Sequence, residues 1–94
     1  MITAIVMVET APDRIPEAAA TISELDGVAE VYSVTGDVDL IAIVRVRRHD
    51  DLEGVIAERL SKVEGVRHTR TYLGFRTYSR HDLDAAFDLG LDAD

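Results

Sequence analysis

The chain has no cysteine and no tryptophan, and only five aromatic residues, three Tyr and two Phe, among 94. Without cysteine there is no disulfide and no thiolate metal site to support a small fold, and nothing to mark an oxidising compartment. Basic residues are also scarce. Ten Lys and Arg stand against eighteen Asp and Glu, a net charge of −8 that opposes direct contact with nucleic acid or an anionic membrane. No apolar run approaches the length needed to cross a bilayer. The opening Met1-Ile2-Thr3-Ala4-Ile5-Val6-Met7-Val8 lacks a basic leader and a cleavage site, so it reads as a strand. These absences point to a soluble, cytoplasmic protein without cofactor, metal, membrane or nucleic acid as direct partner.

What is present suffices for one domain. At 47% hydrophobic residues a core can form, although a chain this short leaves a large share of its surface exposed and gains from association. The charge is unevenly spread. Residues 1–44 carry eight acids and one Arg, 45–80 nine bases and five acids, and 81–94 five Asp. A basic middle between acidic ends suits self-association.

Val28 to Thr35 and Val38 to Arg47 read as two strands of a hairpin around Gly36-Asp37, a pair of turn formers between apolar runs. Ile2 to Glu9 forms a first strand. Asp13 is placed to cap a helix whose first turn holds Pro16 and whose stripe is Ile15, Ala18, Ala19, Ile22 and Leu25. Gly27 ends that helix in the left-handed conformation. Asp50 or Asp51 caps a second helix with Leu52, Val55, Ile56, Leu60 and Val63 inward, closed by Gly65. Val66 to Tyr78 forms the last strand. Ser79-Arg80-His81-Asp82 has capping-box spacing and predicts a short C-terminal helix with Leu83, Ala86 and Phe87 on one side, ahead of an acidic tail.

The segment Ile22-Ser23-Glu24-Leu25-Asp26-Gly27-Val28 returns as Leu60-Ser61-Lys62-Val63-Glu64-Gly65-Val66, an offset of 38 residues that also relates Gly36 to Gly74 and Asp13 to Asp51. Two β-α-β units in tandem make an α+β, ferredoxin-like split β-α-β fold: four antiparallel strands in the order 4-1-3-2, with two helices on one face. The other face is apolar as well, through Ile5, Met7, Ile41 and Ile43. A homodimer, packed face to face or edge to edge, is the economical cover for it.

No catalytic centre emerges. His49, His68 and His81 are far apart and lack metal-ligand spacing, and no serine has a nucleophile setting. Binding is better served. A hairpin tip with Gly36 lets a ligand approach the main chain. Its N–H groups can hold a carboxylate, while Asp37 or Asp39 accepts from an ammonium. Thr69 and Thr71 share one side of the last strand. Arg67, Arg70 and Arg76 protect an edge strand or pair with a partner's acids.

The run Gly27-Val28 through Val34-Thr35-Gly36 to Asp39-Leu40, with Gly65-Val66 and Thr69-x-Thr71, resembles the signature of the Lrp/AsnC (leucine-responsive regulator) effector-binding domain, or RAM domain. The resemblance covers residues 2–78. It implies a dimeric α+β barrel, rings of up to four dimers, and a free amino acid bound between dimers near the second–third strand loop. Ser33, Gly36, Asp37, Val38, Asp39, Thr69 and Thr71 match the family's ligand-contacting segments. The family's helix-turn-helix has no counterpart here, which resembles the stand-alone form acting through full-length partner regulators. Residues 1–78 are then the ligand-binding domain and 79–94 the short helix and acidic tail. Two other readings share the topology. One is a cofactor-free, monooxygenase-like barrel enzyme, for which five aromatics line a thin pocket. The other is a detached ACT-type regulatory domain, whose Gly-rich loop Thr10-Ala11-Pro12-Asp13 does not supply.

Overall fold

The computed structural model describes residues 1–80. Strand β1 (Ile2–Thr10) leads through a 3-10 turn at Pro12–Arg14 into helix α1 (Ile15–Ser23), followed by β2 (Val28–Ser33) and β3 (Leu40–Val46). Helix α2 begins at His49–Glu53, widens into a π-helical stretch at Gly54–Arg59 and closes with a 3-10 turn at Leu60–Lys62 before β4 (Val66–Gly74). The strands lie in the order β2-β3-β1-β4, each antiparallel to its neighbour, as the repeat requires. The expected C-terminal helix falls on residues outside those described.

Alternation within β1 and β3 sorts the side chains to the two faces. Ala4, Val6 and Val8 stand opposite Val44, Ala42 and Leu40, and all six are buried beneath the helices. Ala18 and Ile22 of α1, with Val55 and Leu60 from the second helical segment, complete the core. The repeat survives in the turns. Leu25 N–H donates to Ile22 O and Val28 N–H to Leu25 O, while Val63 donates to Leu60 and Val66 to Val63, all at 3.1–3.2 Å. Gly27 and Gly65 follow with φ of +94° and +96°, the left-handed geometry expected of both.

Four expectations are corrected. Asp13 does not cap α1: the turn already starts at Pro12, so Asp13 lies inside it and Arg14 takes the cap position without a side-chain bond. Nor do Asp50 or Asp51 cap α2. The helix already starts at His49, and both acids lie in its first turn. The hairpin loop spans Val34–Asp39 rather than two residues, because β2 stops at Ser33 and β3 starts only at Leu40. Likewise β4 ends at Gly74, short of Tyr78.

The face away from the helices is uncovered by any described residue. Two lines of paired residues cross it: Tyr32, Ile41, Met7 and Arg70, then Glu30, Ile43, Ile5 and Tyr72. Ile5, Tyr32 and Tyr72 are 37%, 50% and 53% exposed.

A candidate ligand-binding loop

The loop Val34–Asp39 is built from two kinds of residue. Val38 and Asp39 hold it down. Val38 is 6% exposed, so its side chain is turned away from water at the base of the loop. The Asp39 N–H donates to Val8 O at 3.0 Å, its carbonyl accepts from the Val34 N–H at 3.1 Å, and its Oδ2 accepts from the Thr10 N–H at 2.9 Å. Asp39 thus straps the loop to the end of β1, and its carboxylate is already engaged. Thr10 is itself buried, and its Oγ1 has no partner among the described residues.

Thr35, Gly36 and Asp37 form the exposed tip. Gly36 has φ +132°, and a Cβ added there would meet nothing within 4 Å. The backbone is therefore open to an incoming group, while the dihedral itself disfavours any other residue. Asp37 reaches across the end of the sheet to β4, where its Oδ2 lies 3.6 Å from Arg70 Nη2.

The remaining residues expected at the site are not gathered there. Ser33, Leu40, Val8 and Thr69 form one line across the helix side of the sheet. Ser33 and Thr69 occupy its two edges, three strand spacings or roughly 14 Å apart. Thr71 lies on the same side one step along, in a cleft of about 310 Å³ with Leu52, Ile56 and Leu73. The structure groups Gly36, Asp37, Val38 and Asp39, and leaves Ser33 on one edge strand and Thr69 and Thr71 on the other. Arg70 is the residue the sequence reading placed elsewhere. Its signal was available: between Thr69 and Thr71, strand alternation sends it to the opposite face.

Beside β2, the Tyr32 hydroxyl donates to Glu30 Oε2 at 2.8 Å, and Arg45 Nη1 lies 3.8 Å from Glu30 Oε1. That hydrogen bond, followed by the carboxylate's charge, raises the Tyr32 phenol above its ordinary pKa. A larger cleft, about 570 Å³, lies at the far end of the sheet between Gly27 and the start of α2, rimmed by Asp26, Asp50, Asp51, Glu53 and Glu58. Among the described residues, no His, Cys, Asp or Glu cluster is arranged to take a metal ion, there or elsewhere. No helix described is long and apolar enough to cross a membrane.

The sequence profile of the Lrp/AsnC ligand binding domain matches residues 3–83. The chain belongs to that family. This Lrp/AsnC domain is similar to the HTH-type transcriptional regulator LysM of Saccharolobus solfataricus, at 36% identity over 78 residues, which is 82% of this chain and 54% of that one. It is also similar to LrpA of Pyrococcus horikoshii, at 32% over 59 residues, 63% of this chain and 42% of that one. The chain spans about half the length of the curated relatives it matches. Among solved structures, a protein from Thermus thermophilus is 44% identical with a TM-score of 0.80, covering 85% of this chain and 100% of that chain. The feast or famine regulatory protein of M. tuberculosis, solved with L-methionine, is 28% identical with a TM-score of 0.70, covering 85% of this chain and 54% of that chain.

Proposed function

We propose that this Lrp/AsnC domain is an amino-acid-binding regulatory module that works as an oligomer in the cytoplasm. The observation that carries the reading is the family match over residues 3–83. The open tip supports it, with an unobstructed glycine backbone for a carboxylate and an exposed acid for an ammonium. The methionine complex of the mycobacterial relative shows that one member of the fold holds such a ligand.

The uncovered face supports the oligomer. A homodimer closing over Ile5, Met7, Ile41 and Ile43 removes the apolar surface from water, and assembly into a ring brings loop and edge residues of different subunits within reach of one ligand. Ser33, Thr69 and Thr71 enter the site in that way. An effect on transcription then passes through partner regulators that carry DNA-binding helices, since the net charge of −8 disfavours direct DNA contact.

The test is a thermal-shift screen of the chain against the twenty amino acids. A ligand at 100 times its dissociation constant adds about 2.7 kcal/mol to native stability. Gly36→Val should abolish that gain and leave assembly intact. Silence across all twenty overturns the proposal.

A further inference from the structure

Two features at the end of β4 face solvent and suit each other. The first is the cleft of about 310 Å³ on the helix side of the sheet. Leu52, Ile56 and Ala57 of the second helical segment line it with Leu73 of β4, together with His49, Glu53 and Thr71. Leu73 is 37% exposed, so apolar surface stays in contact with water there. The second feature is the segment that follows the strand. β4 ends at Gly74, and the next residue, Phe75, is 96% exposed, with Tyr78 at 72%. Phe75 therefore covers neither the cleft nor any other part of the described chain. A ring left in water forfeits the burial that gives an aromatic its value in a contact, about 150–250 Å² of surface.

The charges agree with the shapes. Arg76 follows Phe75, Glu53 lines the cleft, and among the described residues neither makes an ion pair within the chain. Knob and hollow also belong to one patch, since Phe75 comes two residues after Leu73. A two-fold contact places residue i of each copy on residue j of the other, so a single such contact seats both rings at once. We infer that Phe75–Tyr78 is an arm that docks in the cleft of a second copy of this chain, Phe75 among Leu52, Ile56 and Leu73, and Arg76 against Glu53. The contact uses the helix side of an edge strand and leaves the outer face of the sheet available for the homodimer proposed above. Two seated rings remove roughly 300–500 Å² from water, well below the 1,200 Å² or so of a stable interface. The arm thus adds to the sheet-face dimer and does not replace it, and for its strength it rests on that oligomeric reading.

The chain has no cysteine, so disulfide trapping reads the contact directly. Phe75→Cys protein mixed with Ala57→Cys protein under mild oxidation should form a disulfide-linked heterodimer. It should do so at least about tenfold faster than a mixture of Phe75→Cys with Ala20→Cys, because Ala20 is exposed on α1, which packs over β2 and β3. Arg76→Glu in the Phe75→Cys chain should slow trapping about two- to fivefold, the scale of one exposed ion pair. Glu53→Arg in the Ala57→Cys chain should then restore it. Positions 53, 57, 75 and 76 are all exposed, so melting curves close to that of the unmodified chain confirm that the variants fold. Equal rates for the Ala57 and Ala20 mixtures overturn the inference. So does an intrachain disulfide as the sole product when Phe75→Cys and Ala57→Cys are combined in one chain, which puts the arm in its own cleft. Either failure leaves the sheet-face dimer standing, since light scattering of the unmodified chain decides that separately.

Discussion

Asp39 shows how one side chain can be read in two ways from sequence. Two acids spaced by one residue at a hairpin tip look interchangeable as ammonium acceptors, but the structure separates them. Asp39 spends its carboxylate on the Thr10 N–H, while Asp37 faces solvent and Arg70. Asp39→Ala should cost about 1–3 kcal/mol in denaturant unfolding, because it leaves a buried N–H unpaired, and Asp39→Asn should recover most of that through its amide oxygen. Tyr32 gives a second residue-scale test. Its phenol bonds to Glu30, so its folded pKa lies above the unfolded value. The stability linked to that bond is present below the ordinary tyrosine pKa and is lost as pH rises through the folded one. A phenolate absorbance titration should show one tyrosine ionising late, and Glu30→Gln should bring it back to the ordinary range.

The elements were legible where local chemistry repeats and obscure where two helical forms compete. Gly27 and Gly65, each the sixth residue of a seven-residue segment repeated at an offset of 38, announced two helix-to-strand turns, and both turns carry the same hydrogen bonds. The tandem pattern therefore conveyed topology and strand order. Capping residues were less informative, because Pro12 and His49 start their turns ahead of the nearby acids. The π-helical winding of Gly54–Arg59 leaves no mark in the apolar stripe, which suits an α-helix equally well. At the loop, Gly36 and Asp37 were legible from turn chemistry, whereas the role of Arg70 depends on which face of β4 meets which end of a distant hairpin. Glycine substitutions test this account. Gly65→Ala should destabilise by roughly 1–3 kcal/mol, since its φ is positive and the new Cβ would stand 2.7 Å from Arg14 Cβ. Gly54→Ala should stabilise by about 0.4–1 kcal/mol, because φ there is −61° and nothing lies within 4 Å. Chemical denaturation of the two variants checks both signs.

For the whole molecule, the decisive feature is a sheet with helices on one side only. Light scattering at micromolar concentration should return a dimer or larger ring, and Ile43→Glu, in the middle of the outer face, should return a monomer. A monomer from the unmodified chain would remove the basis for ring assembly and for a site shared between subunits. With that bare side paired as proposed, the unfolding equilibrium depends on how much protein is in the tube. Dilution then acts on this chain as urea does, and its melting temperature should climb steadily across a concentration series instead of staying at one value.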